Sequence, residues 1–178
     1  MSFKVYYFDG YGRAEAIRFL LKYLDAEFED HRLTGEEFGK LKAEGKFEFG
    51  QVPALEWDGK MYSQTNSILR AIGSNNGLYP AVTDPVTMWK IDSLIDAQED
   101  IGNQFWKSSN TGDEETKKKA LETFFGQTLP QYFGRLEKRL KENTSQKYIV
   151  GDKITIADFA IASVAYSRIF NEANPASK

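Results

Sequence analysis

The chain has 178 residues, enough for one hydrophobic core or two smaller ones, and its 41% hydrophobic and 28% charged residues exclude both a disordered polymer and a membrane-resident chain. Its 23 Lys and Arg against 26 Asp and Glu leave a net charge of -3, which does not attract nucleic-acid backbones or anionic lipid, so neither nucleic acid nor membrane is expected as a partner. With no cysteine and one histidine, a structural zinc site, a disulfide and a cysteine nucleophile are all excluded, and any thiol chemistry needs a thiol that arrives with a ligand.

Phe3 to Phe8 is a run of aromatics around Val5 that stops at Asp9-Gly10, the pattern of a buried strand. Arg13 to Leu24 follows as an amphipathic helix, with Ile17, Leu20, Leu21 and Leu24 on one face and Arg18 and Lys22 between them. Ala26 to Leu33 reads as a second strand, which makes the opening a strand-helix-strand crossover. Glu36 to Glu44 fits a short helix. Ala54 to Trp57 and Lys60 to Tyr62 flank Asp58-Gly59, a dipeptide suited to a two-residue hairpin turn, and Gln64 to Ile72 is a helix with Ile68, Leu69 and Ile72 on one face. These elements make a small mixed sheet with helices, a thioredoxin-like arrangement without the Cys-x-x-Cys of its redox members.

From Gly73 to Pro85 periodicity gives way to Gly, Asn, Pro and Asp, which marks a boundary between residues 1–79 and residues 85–178. The second part is all helical. One apolar stripe runs through Met88, Ile91, Leu94, Ile95, Ile101 and Phe105, and another through Leu121, Phe125, Leu129, Tyr132, Leu136 and Leu140, with Pro130 expected to bend or interrupt that helix. Thr155 and Asp158 form a capping box with Ile154 and Phe159 as its staple, so a helix starts at Ile156. Up to Phe170 this helix carries only Asp158 and Arg168 as charges, which predicts an element apolar nearly all round at the centre of its domain.

Five segments occur in order: Tyr7-Phe8-Asp9-Gly10-Tyr11-Gly12-Arg13-Ala14-Glu15, Gly50-Gln51-Val52-Pro53, Gln64-Thr65-Asn66-Ser67-Ile68-Leu69-Arg70, Glu99-Asp100-Ile101, and the Thr155 capping box. In these the chain resembles the cytosolic glutathione S-transferases of the tyrosine-using branch, nearest the alpha, sigma and pi classes. The resemblance spans essentially the whole sequence. It implies a thioredoxin-like α/β N-terminal domain with a mixed four-stranded sheet, an all-α C-terminal domain, a homodimer, and a detoxifying enzyme of the cytoplasm that adds glutathione to hydrophobic electrophiles of xenobiotic type. Glutathione is the implied co-substrate and no metal is implied.

The resemblance also assigns roles. From local sequence Tyr7 is an aromatic at a strand end, where packing is the ordinary role. By resemblance its hydroxyl donates a hydrogen bond to the glutathione sulfur. A free thiol of pKa about 8.5 is only about 3% thiolate at pH 7, and a drop of roughly two units makes most of it anionic. That raises the nucleophile roughly 25-fold, but a Brønsted slope near 0.45 returns about 8-fold of it, so most acceleration comes from holding thiolate and electrophile together. Arg13 is implied to support the thiolate; as a cation at a helix N-terminus it is otherwise read as a salt bridge to Glu15 or another acid. Lys42 corresponds to the cation for the glycyl carboxylate, otherwise a solvated lysine. Gln51, Val52 and an expected cis Pro53 correspond to the edge that pairs with the cysteinyl backbone, and Gln64 and Thr65 to the γ-glutamyl carboxylate site, with helix capping as their other role. Asp100 corresponds to the acid that reaches the glutamyl ammonium across a dimer interface, otherwise a surface acid. Phe49 corresponds to the aromatic key inserted into the partner subunit, otherwise a packing residue. Phe8 and Phe105 are expected against the electrophile.

Two departures stand out. Phe38 occupies the place where sigma and pi members have a hydrogen-bonding Trp, which weakens the expected hold on the glycyl carboxylate. The sequence also ends at Lys178, before the last one or two helices of the family, which normally wall the electrophile site. A sigma-like prostaglandin isomerase, a peroxidase, and a ligand carrier or crystallin with little turnover are the other functions compatible with this pattern.

Overall fold

The computed structural model describes residues 2–169, in two compact units that divide between Gly77 and Leu78. In the first, strand β1 (Phe3–Phe8) leads through a 3-10 turn (Gly12–Ala14) into helix α1 (Glu15–Tyr23). Then follow β2 (Phe28–Leu33), α2 (Gly35–Ala43), β3 (Ala54–Trp57), β4 (Lys60–Ser63) and α3 (Thr65–Asn75). The sheet order is β2-β1-β3-β4, with β1 and β2 parallel and the other two pairings antiparallel. Parallel pairing follows from the α1 crossover, and the β3-β4 hairpin turns on Asp58 and Gly59, both at positive φ (47° and 78°).

Helices α1 and α3 pack together, and Val5, Ile17, Leu20, Leu21, Leu55, Ile68, Leu69 and Ile72 are all fully buried. Each such side chain contributes on the order of 1.5–3 kcal/mol of apolar transfer. Tyr6, Leu33, Phe47 and Ala54 form a second cluster, against which Phe38, Leu41, Val52 and Met61 pack.

The alternation expected of α1 does not place Arg18 on its solvent face. The residue is 5% exposed, one helical turn beyond Ala14 and one before Leu21, both fully buried. Its charge is carried inside by bonds described below. Helix α2 begins with Thr34 accepting a hydrogen bond from the Glu37 N–H at 3.1 Å.

The second unit is helical: α4 (Pro85–Ser109), α5 (Glu114–Thr123), α6 (Leu129–Glu142) and α7 (Ile156–Arg168). The expected interruption near Pro130 is a π-helical turn over Phe124–Thr128, with Pro130 in the first turn of α6, where its missing N–H costs little. A π turn inserts one residue into the helical repeat and rotates the face beyond it. That is why Phe124 is the ring buried here at 2% exposure, while Phe125 is only partly covered.

Helix α7 starts at Ile156 with the capping box fully formed. It is not covered all round, since Ala162 and Tyr166 are exposed on one side. Phe170, the expected end of this helix, lies outside the described residues. Among the described residues no helix is long and apolar enough to cross a membrane.

Candidate active site

Strand register brings three of the expected site residues together at one end of the sheet. Tyr6 pairs with Ala54, and Ala54 with Ser63, so Tyr7, Pro53 and Gln64 each stand one step further toward the end where β1 and β4 finish and β3 begins. Tyr7 also pairs with Arg32 and Phe8 with Leu33, from which Thr34 leads directly into α2. The C-terminal ends of parallel strands are the usual seat of ligands in α/β sheets.

Tyr7 is half-buried, and its hydroxyl accepts a hydrogen bond from the Arg13 N–H at 3.2 Å. A phenol oxygen that accepts one bond keeps its own proton for another, and among the described residues that proton has no acceptor. Gly12 makes this approach possible. Its φ is +42°, and a Cβ there would lie 2.8 Å from Tyr7 Cε1 and closer still to the hydroxyl.

Beneath the loop that carries Gly12 lies Arg18. Its Nη1 donates to the Gly10 carbonyl at 2.9 Å and to the Tyr11 carbonyl at 3.3 Å, and pairs with Glu15 at 2.9 Å. Its Nε donates to Asp30 at 2.9 Å. Arg32 reaches the same Gly10 carbonyl at 3.0 Å and grips Asp30 through Nε at 2.7 Å and Nη2 at 2.6 Å. Glu15, the acid weighed as a partner for Arg13, is thus buried and engaged by Arg18.

A row of rings leads away from Tyr7. Phe8 lies edge-on to Tyr7 with centroids 5.9 Å apart and edge-on to Phe38 at 5.2 Å, and Phe38 stacks on Phe47 at 5.9 Å. Lys42 Nζ sits 5.8 Å from the Phe38 ring centroid, and the lysine stem crosses Gly50, where a Cβ would meet Cε at 2.9 Å. Phe38 is therefore a packing residue of the second core cluster that also flanks Lys42.

Gln51 is exposed, Val52 packs on the cluster, and the Val52–Pro53 peptide bond is cis. Gln64 holds φ +68° and ψ 115° before α3, its carbonyl accepts the Ile68 N–H at 2.9 Å, and its side chain makes no capping bond. Of its two weighed roles, side-chain capping is the one this geometry lacks. Thr65 is the first residue of α3.

In the second unit Asp100 is exposed on α4, and Phe105 packs against Phe124 at 5.3 Å with the Arg168 guanidinium 3.9 Å from its ring centroid. In the first unit Phe49 is 58% exposed. No group of three or more His, Asp or Glu among the described residues is arranged to hold a metal ion.

Sequence reading missed Arg18, Arg32 and the two glycines that admit Tyr7 and Lys42. For Arg18 a signal existed, because Glu15 lies three residues before it and Ala14 and Leu21 share its face.

The first unit is a thioredoxin-like sheet with the Tyr7 phenol near the end of β1, and the second is all helical, the two-part architecture of a class of thioredoxin-like proteins with a helical C-terminal domain. Residues 3–74 match the glutathione S-transferase N-terminal domain model and residues 99–176 the C-terminal domain model. The chain belongs to the glutathione S-transferase family. It is 33% identical over 159 residues to glutathione S-transferase A4 of Mus musculus, covering 89% of this chain and 70% of that protein. Among solved structures it is similar to prostaglandin synthase D of Nilaparvata lugens, with TM-score 0.80, 34% identity, and 92% and 79% of the two chains covered. A monomeric glutathione S-transferase of the hookworm Necator americanus matches with TM-score 0.77, 32% identity, and 93% and 80% covered.

Proposed function

We propose that the protein binds glutathione at the Tyr7 end of the sheet, holds its sulfur as thiolate, and conjugates it to hydrophobic electrophiles. The observation that carries this reading is the Tyr7 hydroxyl, which accepts from the Arg13 N–H and so retains a proton to donate to sulfur. The thiol proton leaves to solvent, sulfur forms a bond to the electrophilic carbon, and the leaving group departs with its electron pair. No covalent intermediate with the protein is involved.

In this reading Lys42 takes the glycyl carboxylate, with Phe38 beside it. Val52 offers its backbone N–H and C=O to the cysteinyl unit, between Gln51 and Pro53. Gln64 and Thr65 meet the γ-glutamyl carboxylate, aided by the N–H groups at the start of α3. The positive φ of Gln64 supports a binding role, since such backbone strain clusters at ligand contacts. Asp100 takes the glutamyl ammonium of a partner subunit, and the exposed Phe49 is the key of that homodimer. Phe8 faces the electrophile. Detoxification in the cytoplasm is the corresponding role.

Retention on immobilised glutathione together with conjugation of chlorodinitrobenzene tests the reading. Tyr7→Phe should keep retention, lose most turnover, and raise the pH at which bound thiolate forms. Unchanged turnover in that variant would assign thiol activation elsewhere. The likeness to a prostaglandin synthase favours a second use of the same thiolate, isomerisation of a prostaglandin endoperoxide, which the same preparation can be assayed for directly.

A further inference from the structure

We propose that Arg18 is a positioning residue for the Tyr7 hydroxyl, acting through the loop from Gly10 to Arg13 and through its charge beside the phenol ring. The proposal rests on the reading of Tyr7 as the group that activates glutathione.

Three observations carry it. Arg18 is buried, 5% exposed, and its Cζ lies 5.8 Å from the Tyr7 ring centroid, with no other cation on that ring among the described residues. Its Nη1 holds two successive loop carbonyls, Gly10 and Tyr11, two and one residues before the Gly12 turn that delivers the Arg13 N–H to Tyr7. Its Nη2 is sealed from solvent without any hydrogen-bond partner.

Neutralising Glu15 and Asp30 does not by itself account for this arrangement. Asp30 is already gripped twice by Arg32, which also holds Gly10 from the outer side. A buried donor left unpaired is a cost that ordinary packing removes. Here the cost secures a locked guanidinium beneath the loop, its charge paired with Glu15 and Asp30 on one side and bare at Nη2. Such a charge stabilises the electron density that builds on the phenol oxygen as its proton leans toward sulfur, and it acts without reorganisation because the group is already locked in place. Both effects bear on the thiolate rather than on the carboxylate and ammonium groups that anchor the tripeptide.

Arg18→Lys keeps the cation but cannot bond Gly10, Tyr11 and Asp30 together, because an ammonium lacks the planar fork. Arg18→Met removes the charge at similar length. In Arg18→Lys, kcat for chlorodinitrobenzene conjugation should fall about 10-fold or more. Its KM for glutathione should stay within about 2-fold, and the midpoint pH of bound thiolate, followed by its ultraviolet absorbance, should rise by about half a unit. Arg18→Met should show larger changes of the same kind; if it does not fold, Arg18→Lys decides alone. A lowered melting temperature with the wild-type midpoint and kcat in the folded fraction would make Arg18 a stabilising residue only and overturn the proposal. Tyr7→Phe, measured alongside, separates the two levels. If it loses activation while Arg18→Lys does not, the positioning role fails alone; if it retains activation, the functional reading fails as well.

Discussion

Replacing Gly12 by alanine adds one methyl group where Tyr7 already stands. The new Cβ would lie 2.8 Å from Cε1, whereas ordinary contact begins near 3.4 Å, so the ring must retreat by about 0.6 Å or more. The hydroxyl, closer still, moves further and loses its bond from the Arg13 N–H. The backbone adds its own penalty, because φ +42° costs a residue with a Cβ about 1–2 kcal/mol. A domain stability of about 5–15 kcal/mol absorbs that loss, and the melting temperature should fall only about 2–8 °C. Catalysis is less forgiving, since a misplacement approaching 1 Å costs on the order of 100-fold, or about 2.7 kcal/mol of barrier. The assay is kcat/KM for chlorodinitrobenzene, with the same substitution made in the Tyr7→Phe background. If Gly12 acts by admitting the phenol hydroxyl, the second loss should be far smaller than the first. Gly12→Ala with turnover within about 3-fold of wild type would refute the reasoning.

Other expectations follow from single contacts. Glu56 accepts from the Tyr6 hydroxyl at 2.8 Å and from Lys46 at 3.2 Å, and these bonds, that of Tyr6 foremost, hold its carboxyl below the ordinary 4.5. Its stabilising contribution is therefore complete above about pH 4.5 and is lost as pH falls through the lowered folded value; Glu56→Gln should flatten that part of the acid limb of melting temperature against pH. A wild-type acid limb in the variant would remove Glu56 from the account. Asp158→Asn removes the charge from the bonds to the Ile149 and Thr155 amides and sets an NH2 against one of them, and should cost roughly 2 kcal/mol or more, read as a lower urea midpoint. Asp100→Ala should weaken glutathione binding by about 10-fold in the assembled protein. Equal affinity would leave this acid a surface residue, and sedimentation of the same sample tells whether a dimer was present.

Much of the fold was legible because periodicity and turn chemistry are local. The Phe3–Phe8 strand, the Asp58-Gly59 turn and the helix start at Ile156 are each specified by fewer than ten neighbouring residues. What escaped depends on contacts distant along the chain. Arg18 looks like a solvent-facing residue until Asp30 and the Gly10 carbonyl fold over it. The shift of burial from Phe125 to Phe124 needs the π turn, which no residue pattern announces. In the same way, Gly12 and Gly50 are defined by the side chains that occupy their missing Cβ positions, Tyr7 and Lys42. The motifs were readable in order along the sequence, whereas the convergence of Tyr7, Pro53 and Gln64 at one end of the sheet required the strand register.

The carboxylate of Asp158 gathers the Ile149 amide at 3.1 Å, the Thr155 amide at 2.8 Å and the Thr155 hydroxyl at 3.2 Å, all within nine residues. Closing so short a segment sacrifices little chain entropy, so these bonds can assemble before the distant helix contacts do. The start of α7 is therefore the expected nucleus of its unit. Changes at Asp158 should slow refolding and leave the unfolding rate nearly untouched, placing this acid in the transition state of folding.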